Sequence, residues 1–170
     1  MTTRAEENLM DWLRDAHAME EQAEKMLAAT AARLENYPVL KQRIEQHLEE
    51  TRRQATLVRG CIERRGGDTS AVKDLTGRIV AMAQGMSGMF VTDEVVKASM
   101  SSYAFEHMEI ASYRILAAAA AVCNDAETQR VCEQILQEEV AMADWLAAQM
   151  PEITREFLLR DETPNVTAKH

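Results

Sequence analysis

Apolar side chains return along the chain at helical intervals, in blocks separated by a few turn residues. From Thr3 to Glu35 the stripe is Leu13, Leu27 and Leu34 at heptad spacing, widened by Ala16, Met19, Ala23 and Met26, which predicts an amphipathic helix. Thr3 and Glu6 have the spacing of a capping box, and Asn36-Tyr37-Pro38 ends the helix because proline disfavours helical geometry in the residue before it. A second helix is predicted from Pro38 to Arg65 on Leu40, Ile44, Leu48, Thr51, Ala55, Val58 and Ile62, stopped by Gly66-Gly67. Val72, Leu75, Ile79, Met82, Met86 and Met89 alternate spacings of three and four, a short amphipathic helix loosened by Gly77 and Gly85. Thr92-Asp93-Glu94 reads as the capped, acidic start of a third long helix ending near Cys123. Asn124-Asp125 turns the chain, with Asn124 and Glu127 spaced as a cap. A fourth long helix is predicted to reach Gln149 before Pro151, with a short continuation from Glu152 to Leu159.

All six glycines lie between positions 60 and 88, so two regular halves flank one irregular connection. Two short turns and one long crossover predict an all-α fold: a ferritin-like antiparallel four-helix bundle whose crossover contains a short fifth helix. Residues 1–160 form a single domain, within the size of one core, and residues 161–170 are expected to be a flexible tail.

Composition narrows the function. Glycine and proline total nine of 170 residues and aromatics are 5%, which argues against a sandwich, a barrel or a disordered chain. With 19 basic against 28 acidic residues, a net charge of −9 and no basic run interleaved with aromatics, a nucleic-acid partner is not expected. The N-terminus turns charged at once, unlike a signal peptide. The longest apolar run, Ile115 to Cys123, is too short to span a membrane, and no membrane partner is expected. Cys61, Cys123 and Cys132 form no CxxC pair and read as reduced thiols of a cytoplasmic protein.

Glu20 stands where the heptad row Leu13, Glu20, Leu27, Leu34 calls for leucine, and Glu139 does the same between Cys132 and Leu146. Glu50 and Glu109 also precede a leucine by seven. Glu20 to Glu50 and Glu109 to Glu139 are each 30 residues apart, nearly symmetric about the predicted turns, so one glutamate per helix falls near one level. Buried carboxylates must protonate or bind cations, and two oxygen-ligated divalent ions, iron or manganese, would reconcile them. Glu106 adds a fifth carboxylate. The Glu-x-x-His motif of ferritin-like sites is absent; the reversed spacing occurs as His17-x-x-Glu20 and His47-x-x-Glu50, which makes His17 and His47, with Gln54, further candidates. Tyr103 and Tyr113 share the helix of Glu109 and read first as packing residues, as do Met82, Met86 and Met89.

Asp11-Trp12-Leu13-Arg14-Asp15-Ala16-His17-Ala18-Met19-Glu20, Ile44 to Thr51, Phe105 to Tyr113, and Glu138-Glu139 followed by Met142-Ala143-Asp144-Trp145-Leu146 resemble the YciE/YciF family of ferritin-like stress proteins, the YciE branch most. The resemblance covers the chain to about residue 165. It implies a five-helix ferritin-like fold, homodimers, a bacterial cytoplasmic stress-response setting and a di-iron site at Glu20, Glu50, Glu109 and Glu139 with Glu106. Many YciF-type members carry Asp where this chain has Ala143, and often His where it has Gln54. Two functions follow: a metal-binding bundle holding iron or manganese for oxygen or peroxide chemistry, or a metal-free dimeric structural or interaction protein with a degenerate site. The residues name no specific reaction.

Overall fold

The computed structural model describes residues 2–69 and 93–168. Among them are four helices and no strands: α1 Arg4–Arg33, α2 Pro38–Arg64, α3 Glu94–Val122 and α4 Ala126–Asp161. The expected crossover helix over Val72 to Met89, with Gly77 and Gly85, lies outside the described residues. No helix among the described residues is long and apolar enough to cross a membrane.

Local chemistry sets the ends. The capping box forms: Thr3 Oγ1 accepts from the Glu6 N–H at 3.2 Å, and Glu6 accepts from the Thr3 N–H at 2.7 Å. Pro38 occupies the first turn of α2, where its missing N–H is harmless. Helices α2 and α3 end alike. Gly66 at φ 77° and Asn124 at φ 54° take the left-handed conformation, while Gly67 N–H bonds to Ile62 O at 3.0 Å and Asp125 N–H to Ala120 O at 2.9 Å. These are Schellman ends. Asn124 is therefore used up in turning the chain, and the cap expected of it belongs to Asp125, which accepts from the Thr128 N–H at 3.1 Å. Asp93 makes no side-chain cap; its carboxylate pairs with Lys97 at 3.0 Å.

The expected break at Pro151 does not occur, since α4 runs through it. An internal proline costs about 3 kcal/mol. Beyond it, Ile153 and Phe157 are buried with Leu34, Tyr37 and Leu40, and burying such a pair returns roughly 3–6 kcal/mol. Tertiary packing thus outweighs the local penalty. Past the helix, Tyr37 donates its hydroxyl to the carbonyl of buried Ala168 at 2.7 Å.

Cross-helix pairs give the topology. Arg52 meets Glu24 and Arg59 meets His17, so α1 and α2 are antiparallel. Tyr113 meets Glu20 and Arg33 meets Glu94, so α1 and α3 are antiparallel. Gln54 meets Glu138 and Arg64 meets Thr128, so α2 and α4 are too. With α3 packed on α4, the helices close a ring in the order α1, α2, α4, α3.

The interior is divided. One apolar cluster gathers Leu9, Leu13, Met19, Ala23, Val58, Phe105, Tyr113, Leu116, Cys132 and Ile135. The other gathers Leu27, Leu34, Leu40, Ile44, Leu48, Val95, Met142, Leu146 and Phe157. Each helix carries buried polar residues beside these clusters: Thr51 and Gln54 on α2 and Glu139 on α4 lie between the two, while Glu20 on α1 and Glu106 and Glu109 on α3 lie within the span of the first. A polar layer crosses the bundle there.

Asp125 joins the α3–α4 turn to the end of α2 through Arg64 at 3.0 Å and Arg65 at 2.7 Å. Burial alone would raise its pKa, but hydrogen bonds from Thr128 and the two arginines hold it down at about 2. Asp125→Ala removes a cap and a part-buried charge partner, and chemical denaturation should show a loss of about 2–4 kcal/mol. Because the folded pKa is depressed, the wild-type advantage should be complete above about pH 4 and vanish as pH falls through about 2.

Candidate metal centre

The polar layer is built around His47, which is 1% exposed. It lies on the inward face of α2, beside Leu48 and one turn from Ile44, and both ring nitrogens face carboxylates. Nδ1 is 2.9 Å from Glu50 Oε2, while Nε2 is 3.2 Å from Glu106 Oε2 and 3.5 Å from Glu139 Oε2. Burial alone would lower the pKa of the imidazole, but its contacts with Glu106 and Glu50 and the charge of Glu139 overcome this and lift it to about 10. With both nitrogens paired to acids, the ring in this state is the doubly protonated cation.

Glu106, Glu109 and Glu139 complete a cluster with His47 in which one ligand atom from each lies within 4.8 Å of all the others, and all four residues are buried. Glu106 and Glu109 share a face of α3 because residues three apart on a helix are neighbours. Burial, reinforced by the neighbouring carboxylates, pushes Glu109 and Glu139 well above the ordinary carboxylate range. Glu20 stands beside them on α1, fully buried. One of its oxygens accepts the hydroxyl proton of Tyr113, and burial raises its pKa despite that bond. Tyr113 is itself fully buried and shifted upward, chiefly by desolvation and then by the charge of Glu20.

Unpartnered atoms concentrate in this layer. Among the described residues, buried side-chain oxygens with no hydrogen bond are Glu20 Oε2, Gln54 Oε1, Glu106 Oε2, Glu109 Oε1 and both oxygens of Glu139; the remaining unpartnered atom is Arg65 Nε. The approaches of His47 Nε2 to Glu106 and Glu139 have ion-pair distance without hydrogen-bond alignment. Oxygen-rich sites with an imidazole suit manganese and iron, so the donor set fits such ions.

The remaining sequence candidates are placed differently. Glu50 is half-buried at the edge of the layer, accepting from Arg43 at 3.2 Å, Gln46 at 3.0 Å and His47 at 2.9 Å. The bond with His47 first, then Arg43, holds its pKa down at about 2. Gln54 is buried and donates to Glu138 at 2.9 Å. His17 is buried away from the cluster contacts; Arg59 donates to its Nε2 at 3.4 Å and Glu21 lies 3.9 Å from Nδ1. Burial pushes its pKa down. Tyr103 stacks edge-on against His107 at 4.5 Å. Ala143 is buried and supplies no ligand atom. Glu138, which the spacing gave no reason to select, accepts from Gln54 and from Arg53 at 2.8 Å and forms the outer edge of the layer. Its one signal was its place next to the inward Glu139.

The family model described as Domain of unknown function (DUF892) matches residues 4–159. A crystal structure of a protein from Xanthomonas campestris pv. campestris is 44% identical with a TM-score of 0.82, covering 95% of this chain and 100% of its own. The Escherichia coli stress protein YciF is 23% identical with a TM-score of 0.76, covering 88% and 96%. YcfI of Rhodopseudomonas palustris is 27% identical with a TM-score of 0.72, covering 85% and 94%. The chain belongs to the DUF892 family, in keeping with the YciE/YciF resemblance that its motifs carry.

Proposed function

We propose that this protein is a ferritin-like metal-binding bundle whose polar layer holds iron or manganese, and that it serves a bacterial stress response in the cytoplasm. The observation that carries this reading is the convergence on the buried imidazole of His47 of Glu106, Glu109 and Glu139 from α3 and α4, four of whose oxygens have no hydrogen-bond partner. In the proposal Glu106, Glu109 and Glu139 bind the ion, with Glu20 in reach of a second. His47 offers Nε2 as a ligand while Glu50 fixes the ring through Nδ1, the carboxylate–histidine pairing usual at metal sites. Glu50 thus acts through His47, its own oxygens being engaged by Arg43 and Gln46. Tyr113 holds one oxygen of Glu20 and leaves the other facing the cluster. Iron or manganese bound there supplies one-electron chemistry toward dioxygen or peroxide. The flanking apolar clusters exclude water and lower the local dielectric.

A second reading, a metal-free dimeric structural or interaction protein, is favoured by Ala143 and by the internal pairing of His47 with three acids. The two readings part on stability. A metal site should raise the melting temperature with added Mn(II), whereas a scaffold should melt alike with and without it. Homodimerisation and the short crossover helix belong to the proposal through the family resemblance, and sedimentation equilibrium checks the first.

Anaerobic titration with Fe(II) or Mn(II) should give saturable binding that Glu139→Gln and Glu109→Gln abolish and the surface substitution Glu152→Gln leaves intact. Binding no stronger than that of the double variant ends the metal reading. Tyr113→Phe and Glu50→Gln keep the binding residues but lose the hydrogen bonds that orient Glu20 and His47. Calorimetry should show affinity weakened by about 10–100-fold in each.

A further inference from the structure

The two seams that flank the polar layer differ in character. On the α2–α4 side, Arg53 and Gln54 close onto Glu138, and Arg43 and Gln46 close onto Glu50. That seam is ion-paired. On the α1–α3 side, a small crevice leads to Glu106 and Glu109 between Ala23, Met26 and Leu27 of α1 and Phe105 of α3, with Thr30 and Ser102 also lining it. Its lining grades inward: Met26, Thr30 and Ser102 are half-buried, whereas Ala23, Leu27 and Phe105 are buried and the two carboxylates nearly inaccessible. The volume is about 20 Å³, just above the space one water molecule requires.

We infer that this crevice is a binding site and entry route for a neutral molecule of two or three heavy atoms, such as dioxygen or hydrogen peroxide, and that Ser102 and Thr30 form its mouth. Size excludes larger organic substrates. Charge also selects: an anion entering would shed its water between apolar walls and then meet Glu106 and Glu109, so it is disfavoured twice. Dioxygen loses little hydration there and is indifferent to the carboxylates, while hydrogen peroxide carries no charge to be repelled and can donate its O–H groups to them. The crevice touches the cluster through the face of α3, opposite to the α2 face from which His47 reaches in, so an entering molecule approaches without displacing the imidazole. This specificity rests on the metal reading for its purpose, but entry itself does not.

The test separates the two. In metal-free protein, dissolved dioxygen under pressure should broaden the methyl resonances of Ala23 and Leu27 more than those of Ala31 and Leu34, which are equally buried but outside the crevice lining. Ser102→Leu, at a half-buried position, should plug the mouth and remove the excess; Thr30→Leu serves the same end should Ser102→Leu fail to fold. Equal relaxation at the methyls of all four residues, or an excess that survives plugging, overturns the proposal whatever the protein does with metal. In Fe(II)-loaded protein the plugged variant should keep its metal affinity and be oxidised by dioxygen about tenfold more slowly; unchanged oxidation also overturns it. Absence of Fe(II) binding would sink the metal reading and leave the relaxation experiment to decide the crevice.

Discussion

The constraint on which the structure turns is the burial of four carboxylates among the apolar residues of the bundle interior. Each unpartnered buried polar atom costs roughly 1–3 kcal/mol, and five such carboxylate oxygens together approach the entire stability of a domain, about 5–15 kcal/mol. The chain offsets this in three ways visible around the layer. His47 supplies a cation touching Glu50, Glu106 and Glu139. Tyr113 supplies a hydroxyl to Glu20. Burial drives the pKa of Glu20, Glu109 and Glu139 upward, so that protons occupy them when no other cation does. In the proposed metal-bound state a divalent ion would replace those protons with a partner that satisfies several oxygens at once.

The rest of the fold holds this layer in register. Its height is fixed by apolar anchors on both sides of each polar position: Met19 and Ala23 flank Glu20, and Ile135 and Met142 flank Glu139. The ends of α2 and α3 are pinned by left-handed residues and, at α3–α4, by the triple engagement of Asp125 with Thr128, Arg64 and Arg65. A slip of one helix by a turn would move a glutamate into a leucine layer and a leucine among carboxylates. Both errors are costly, so the polar layer confers register as well as chemistry.

Much of this was legible in the residues, within a limit that has a physical basis. A glutamate in a leucine row marks an inward carboxylate, and equal 30-residue separations place such residues at one height. Glu109 and Glu139 lie in one buried cluster, and Glu20 interacts electrostatically with Glu109 from α1. Height says nothing of rotation, however. On α2 the inward direction falls to His47 while Glu50, three residues on, turns toward Arg43 one heptad before it on the same face. Which of two residues a turn apart points inward depends on how the whole stripe seats against its neighbours, and no spacing within one helix contains that. The same limit governs Pro151, where a strong local signal yields to the burial of Ile153 and Phe157. It governs Asn124 as well: the residue was a sound cap by type, yet the left-handed turn needed it more, and the cap passed to Asp125.

The unequal seams follow from the same division of labour. A layer that must remain dry to keep His47 and its acids strongly coupled cannot open on every side. Along α2 and α4 the long side chains of Arg43 and Arg53 fold over the layer edge and neutralise Glu50 and Glu138, so that edge is held by exchangeable ion pairs that a hydrated cation can compete for. Along α1 and α3 the edge consists of Ala23, Leu27 and Phe105, which offer nothing to a charge. On the proposed reading, an ion-paired α2–α4 edge and an apolar α1–α3 edge would admit small neutral molecules from the apolar side. Four buried acids take up protons or a bound cation, and the small side chains of Ala23 and Ser102, set where a leucine would seal the seam, leave room for a small neutral molecule beside them.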